Sequence, residues 1–293
     1  MIKTTYVNRY RFIFIHLLCG LIIPFLTFSQ SGNSQVKIDA LVASMTLEEK
    51  VGQMTQINLE VILKKENGVI VYPIEIDTAK LREAIREYKV GSFLNNGRKA
   101  HSRNEWLEVI TAIQTMALSS LSQIPIIYGI DAIHGSNYSS GSALFPHQLG
   151  QAASWNPPLV EQIAQATAFE TRSCAIPWVF SPVIDVGRQP LWSQFFETYG
   201  EDVHLTSTMG NAAVRGYQGE NLSDGSSVAA CVKHYVGYSA PLSGKDRTPV
   251  YMDERHLRET YLPPFERAIE QGVRSMIVNS GELNGIPSHA NEY

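Results

Sequence analysis

Apolar residues recur at helical spacing in some stretches of the chain and gather in short β-branched or aromatic runs in others. From Ile38 onward the two kinds of stretch alternate. Residues 36–43 read as a first helix. A second begins at Thr46, where Thr46 and Glu49 have the spacing of a capping box ahead of Val51 and Met54. Strands are expected at 90–94, 124–130, 178–183, 228–235 and 274–278. Between them, residues 104–118 place Trp106, Val109, Ile110, Ile113 and Ala117 on one helical face. Residues 158–172 do the same with Leu159, Ile163, Ala166 and Phe169. Further helices are expected at 202–217 and 254–270, the latter bent or restarted at Pro263-Pro264.

Strands alternating with helices predict an α/β fold with a parallel sheet and crossover helices. The segments that follow the strands concentrate polar and ionisable residues: Asp131 to Gly135, Asp185 to Arg188, Lys233-His234-Tyr235, and Asn279 to Glu282. Reactive side chains at successive strand ends are the pattern of a TIM-type (β/α)8 barrel, whose active site lies at the carboxyl ends of its strands. An open doubly wound sheet is the alternative, but the first turn has no glycine-rich phosphate loop. About five β/α units precede Tyr293, so the barrel is expected to be incomplete, with the chain stopping inside its own fold. No linker or repeat divides the units, and residues 31–293 are read as one truncated barrel domain.

Composition narrows the class of function. The 293 residues carry 24 basic and 28 acidic side chains, a formal charge of −4, without the basic surplus that nucleic-acid binding needs. With 44% hydrophobic and 18% charged residues the chain is globular. The first thirty residues differ: Lys3, Arg9 and Arg11 precede an uncharged apolar run over 12–28, followed by Ser29-Gln30-Ser31. That is the layout of a cleaved secretory signal over 1–30, giving a secreted or periplasmic protein without a stable membrane anchor. Cys19 leaves with the signal, and Cys174 and Cys231 are predicted to be free buried thiols.

Sugar hydrolysis needs two carboxylates flanking a glycosidic bond, and Asp131, Asp185 and Glu282 are candidates by position. Lys233, His234 and Arg188 offer donors for sugar hydroxyls. No metal-ligand spacing of the His-x-x-x-His or His-Glu-x-x-His kind occurs, nor a Gly-x-Ser-x-Gly elbow, so no metal or other cofactor is expected.

Taken in order, Lys50-Val51-Gly52-Gln53-Met54, Gly129-Ile130-Asp131-Ala132-Ile133-His134-Gly135, Phe180-Ser181-Pro182-Val183-Ile184-Asp185, Gly187-Arg188-Gln189-Pro190, Glu197-Thr198-Tyr199-Gly200-Glu201-Asp202, Lys233-His234-Tyr235 and Asn284-Gly285-Ile286-Pro287-Ser288-His289 resemble glycoside hydrolase family 3. The run from Ser243 to Thr248 and the form Asn279-Ser280-Gly281-Glu282 look like the branch found in polysaccharide-degrading bacteria. The resemblance implies β-glucosidase activity on β-linked glucosides or oligosaccharides, with retention. It implies sugar-binding roles for Asp131, Arg188, Lys233 and His234, with Ser280 and Glu282 as weaker candidates. The family has a tyrosine or a substitute about where Ser280 stands, and draws its nucleophile from elsewhere. Glu197, Glu201 and Asp202 open a helix, where acids complement the dipole, and are read as structural. His134 is read as a packed turn residue and Asp185 as a brace for its loop.

The family nucleophile is an aspartate in a Ser-Asp-Trp or Thr-Asp-Trp motif, absent from these residues, and is expected beyond Tyr293. The proton donor is expected from a second domain. The chain is thus expected to be the amino-terminal portion of a glucosidase, and to be inactive alone. A family 3 β-xylosidase and a non-catalytic sugar-binding fragment stand as alternatives. A β-N-acetylglucosaminidase is disfavoured, because Lys233-His234-Tyr235-Val236-Gly237-Tyr238-Ser239 lacks that group's second histidine.

Overall fold

The computed structural model describes residues 29–292. The expected signal segment and Cys19 lie, save for its last residues, outside the described part. The chain divides into two compact units at Val51/Gly52. In the first lie helix α1, Ser29–Ser44, and the start of α2, Leu47–Gln53, at the predicted box: the Thr46 amide donates to Glu49 Oε2 at 2.9 Å and the Glu49 amide to Thr46 Oγ1 at 3.2 Å. None of the described helices is long and apolar enough to cross a membrane.

The second unit is built on a parallel sheet of β1 (Gln56–Asn58), β2 (Ser92–Leu94), β3 (Ile127–Ile130), β4 (Trp178–Val179), β5 (Ala229–Tyr235) and β6 (Ser275–Val278), hydrogen-bonded in that order. Each strand pairs with the next in sequence, so the order never reverses. That is the winding of a barrel rather than of a doubly wound sheet, whose order switches direction. The fold is an incomplete (β/α)8-type barrel with six parallel strands, one more than the hydrophobic pattern implied. The strand missed is β1, whose Gln56-Ile57-Asn58 is too short and too polar to register as a run.

The connecting helices are α3 (Thr78–Arg82, continuing as a wider turn over Glu83–Glu87), α4 (Arg103–Leu118), α5 (Pro157–Ser173), α6 (Val203–Gln218) and α7 (Pro263–Glu270). Helix α4 starts in a capping box between Ser102 and Glu105 and buries the five residues its periodicity named. Trp106 packs edge-on against Tyr128 of β3, centroids 5.7 Å apart. Before α7 the expected break is present: a turn at Glu254–His256 and a wide turn at Leu257–Tyr261 precede the restart at Pro263.

Helix α5 corrects the reading. Its buried face is Val160, Ala164, Thr167, Ala168 and Thr171, while Leu159 and Phe169 are exposed. The reason is the neighbour. A Cβ on Gly216 of α6 would lie 2.3 Å from the Glu161 carbonyl oxygen and 2.6 Å from Ala164 Cβ. Two helices this close accept only small side chains between them, and the larger ones are displaced outward. Cys174 and Cys231 are free and buried, as expected.

Candidate active site

The carboxyl ends of the strands surround a cleft of about 660 Å3. The loop after β3 supplies Asp131, which the Tyr217 hydroxyl of α6 helps to fix by donating to the Ala132 carbonyl at 3.0 Å. The segment after β4 runs on to Val183, which bridges to Lys233. A two-way amide clamp locks it: Gln148 Nε2 donates to the Val183 carbonyl at 3.0 Å and the Val183 amide to Gln148 Oε1 at 3.1 Å. Gln148 belongs to a short helix, Gln148–Ala152, that periodicity did not reveal.

Strand β5 delivers Lys233 and His234. Neighbouring residues on a strand point to opposite faces, yet both of these line the cleft. The pairing of β5 with β6 slips between Lys233 and Tyr235, and the irregularity re-aims His234. Lys233 is 6% exposed, and its Nζ donates to Asp131 Oδ1 at 2.5 Å. A buried ammonium needs such a counter-ion, and using one carboxylate oxygen for it leaves the other to accept hydroxyls from a ligand. Asp185, 1% exposed, receives both the His234 backbone amide at 2.9 Å and the His234 ring at 2.8 Å on the same Oδ2. With Nδ1 held there, Nε2 is the ring nitrogen left for a ligand in the cleft that His234 lines. Asp185, expected to brace its own loop, is found instead to hold the backbone and ring of His234 on β5.

Asp131, Lys233, His234 and Ser280 therefore meet in one cleft. Arg188 and Glu282 do not join them. The Arg188 side chain is exposed, with Nε donating to the Glu201 carbonyl at 3.2 Å and Nη1 to the Thr260 hydroxyl at 3.4 Å. Glu282 lies in a small hairpin with Ile286–Pro287, and its carbonyl receives the Val250 amide at 2.9 Å. Asp202 caps α6 through the Leu205 amide at 2.6 Å, as a structural acid should.

Glu197, expected from the sequence to be structural, lines the cleft. It ends a single helical turn, Phe195–Glu197, that folds it back towards the strand ends. Burial raises its carboxyl above the ordinary value, against the pull of Lys233 and His234, with Asp131 and Asp185 adding to the rise. Its Oε2 has no protein partner, and Gln56 Nε2, Asn137 Oδ1, His147 Nδ1 and Gln194 Oε1 share that condition among the described residues lining the cleft. Buried polar atoms are ordinarily satisfied, so a ring of open donors and acceptors fits a polyhydroxylated ligand. His134 is a turn residue, its Nδ1 against the Phe145 carbonyl at 2.9 Å, but it also forms a wall of the cleft by stacking on His147 at 3.9 Å. Burial and the neighbouring His134 hold His147 below the usual imidazole range. Trp178, Phe180 and Ile277 supply an apolar floor, and Gly129 leaves room for it, since a Cβ there would lie 2.4 Å from the Phe180 ring.

Residues 46–293 match the family model described as Glycosyl hydrolase family 3 N terminal domain. The chain is 42% identical over 267 residues to a lysosomal beta glucosidase of Dictyostelium discoideum, covering 86% of this chain and 32% of that one. Among solved structures, an exo-1,3/1,4-beta-glucanase from a Pseudoalteromonas species superimposes with a TM-score of 0.75 at 32% identity, covering 87% of this chain and 31% of that one. A beta-glucosidase from Listeria innocua in complex with glucose does so with a TM-score of 0.71 at 30% identity, covering 87% and 34%. The chain spans about a third of the length of these relatives.

Proposed function

The chain belongs to glycosyl hydrolase family 3, and on that premise we propose that the cleft at its strand ends binds the terminal β-D-glucosyl unit of a β-glucoside, in a protein that hydrolyses that unit with retention. The observation carrying this reading is the convergence of Asp131, Lys233 and His234 among polar atoms left without protein partners. Residues 31–293 act as the amino-terminal barrel domain, and 1–30 as a signal that sends the protein to the periplasm or outside the cell.

Each binding group has a defined task. Asp131 accepts hydroxyls on the oxygen that Lys233 leaves open. Lys233 donates its remaining protons, and His234 offers Nε2 from a ring that Asp185 keeps from rotating. Hydrogen bonds to charged groups contribute about 1.5–3 kcal/mol each, and those that tighten as the ring flattens towards an oxocarbenium ion lower the barrier. A retaining hydrolysis also needs a carboxylate nucleophile and a proton donor. No Ser-Asp-Trp or Thr-Asp-Trp occurs in the sequence, and the binding groups above are given no part in the covalent step. Soaking crystals of the chain with glucose tests the reading. The expected complex has sugar hydroxyls within hydrogen-bonding distance of Asp131, Lys233 and His234, and glucose seated elsewhere would overturn it.

A further inference from the structure

At the mouth of the cleft stands Arg247, whose side chain is 72% exposed while it still lines the wall. Its backbone takes φ +56°, a left-handed conformation that a residue with a Cβ adopts only when its surroundings impose it. The surroundings here are a strap over residues 239–250 fastened to the segment after β4 at several points. Ser239 Oγ donates to the Val186 carbonyl at 2.7 Å, and Gln189 Nε2 to the Pro241 carbonyl at 3.2 Å. Gly244 sits so close to Leu191 that a Cβ would lie 2.6 Å from the leucine Cβ. Trp192 Nε1 donates to Asp246 Oδ1 at 3.1 Å, and the two hydroxyls of Ser243 and Thr248 meet at 2.7 Å across the tip. Trp192 also packs edge-on against Tyr238, which in turn lies against the His234 ring. One continuous set of contacts thus ties the strap to the group that would hold the terminal sugar.

The Arg247 guanidinium engages the Tyr238 hydroxyl, and of its five N–H donors that contact leaves several over. Asp246 approaches Arg247 Nε only to 3.6 Å and already serves the Trp192 indole through its other oxygen. Among the described residues lining the cleft, the other ammonium or guanidinium is Lys233, which is buried and committed to Asp131. If the terminal sugar lies deep against Asp131, the rest of the substrate must leave through the open mouth, past Arg247. A planar fork of N–H donors at that point matches a pair of neighbouring hydroxyls on a second sugar ring.

We propose that Arg247 is a specificity-determining residue that binds hydroxyls of the sugar unit on the leaving-group side, so that the cleft favours disaccharides and longer β-glucosides over glucose alone. The inference rests on the reading of Asp131 as the terminal-sugar ligand. The test is isothermal titration of the 293-residue chain with glucose, cellobiose and laminaribiose. Arg247→Ala is expected to weaken both disaccharides by roughly tenfold and leave glucose within about twofold. Arg247→Lys, which keeps the charge and loses the fork, is expected to recover only part of the loss. Asp131→Asn is expected to weaken all three ligands. An unchanged ratio of disaccharide to glucose affinity in Arg247→Ala, with Asp131→Asn still weakening all three, would overturn the role of Arg247 alone. No effect of Asp131→Asn on any ligand would overturn the reading beneath it, and this inference with it.

Discussion

Glu197 is a half-buried carboxyl in the cleft. Its carboxyl is raised above its ordinary 4.5 because burial disfavours the ionised form more than Lys233 and His234 favour it. A carboxyl raised on folding binds its proton more tightly in the native state. Its contribution to stability is therefore complete below the unfolded value and is lost as pH rises through the folded one. Glu197→Gln removes the ionisation and keeps the shape. The variant should melt at a higher temperature than the parent at neutral pH, with the gap closing towards about pH 4, as followed by circular dichroism at both pH values. A constant gap would show that the effect is not electrostatic. In the sequence Glu197 is one acid among several ahead of a helix, and Asp202 met that expectation. What the sequence does not display is the single turn at Phe195–Glu197 that points one of these acids inward. Asp131, Lys233 and His234 were legible because each closes a strand, and a strand end fixes where a side chain goes. Arg188 sits in a loop and Glu282 in a small hairpin, and the course of each depends on partners in other segments: Glu201 and Thr260 for the first, Val250 for the second.

At the scale of elements, α5 and α6 pack closely against each other through small side chains. Gly216 stands where a methyl group would collide with the Glu161 carbonyl and with Ala164, both fixed in a neighbouring helix. Gly216→Ala should destabilise the fold by about 1–3 kcal/mol in urea unfolding, against the small gain that alanine ordinarily brings to a helix. Gly225 is the control: nothing lies within 4 Å of where its methyl group would stand, and Gly225→Ala should be close to neutral. The helices themselves were legible from periodicity, and α4 buries the face that its spacing named. The buried side of α5 was not. Periodicity identifies the most hydrophobic stripe, whereas close helix packing selects the smallest one, here Ala164, Thr167, Ala168 and Thr171. Strand β1 escaped notice for a related reason: three residues offer too little alternation to read, and β2 alone holds them in register.

Over the whole second unit, six strands wound in sequence order carry their polar ends to one side, and the functional reading depends on that winding more than on any one residue. β3, β4 and β5 bring Asp131, Asp185 and the Lys233-His234 pair together although they are separated by up to 103 positions, as the numbering of Asp131 and His234 gives. A family 3 chain with this arrangement should hold a single glucosyl unit. Calorimetric titration of glucose into the chain and into Asp131→Asn measures that directly. The account predicts one glucose per chain in the parent and a loss of roughly tenfold or more in Asp131→Asn, with the melting temperature nearly unchanged. Equal affinity in the two proteins would contradict it.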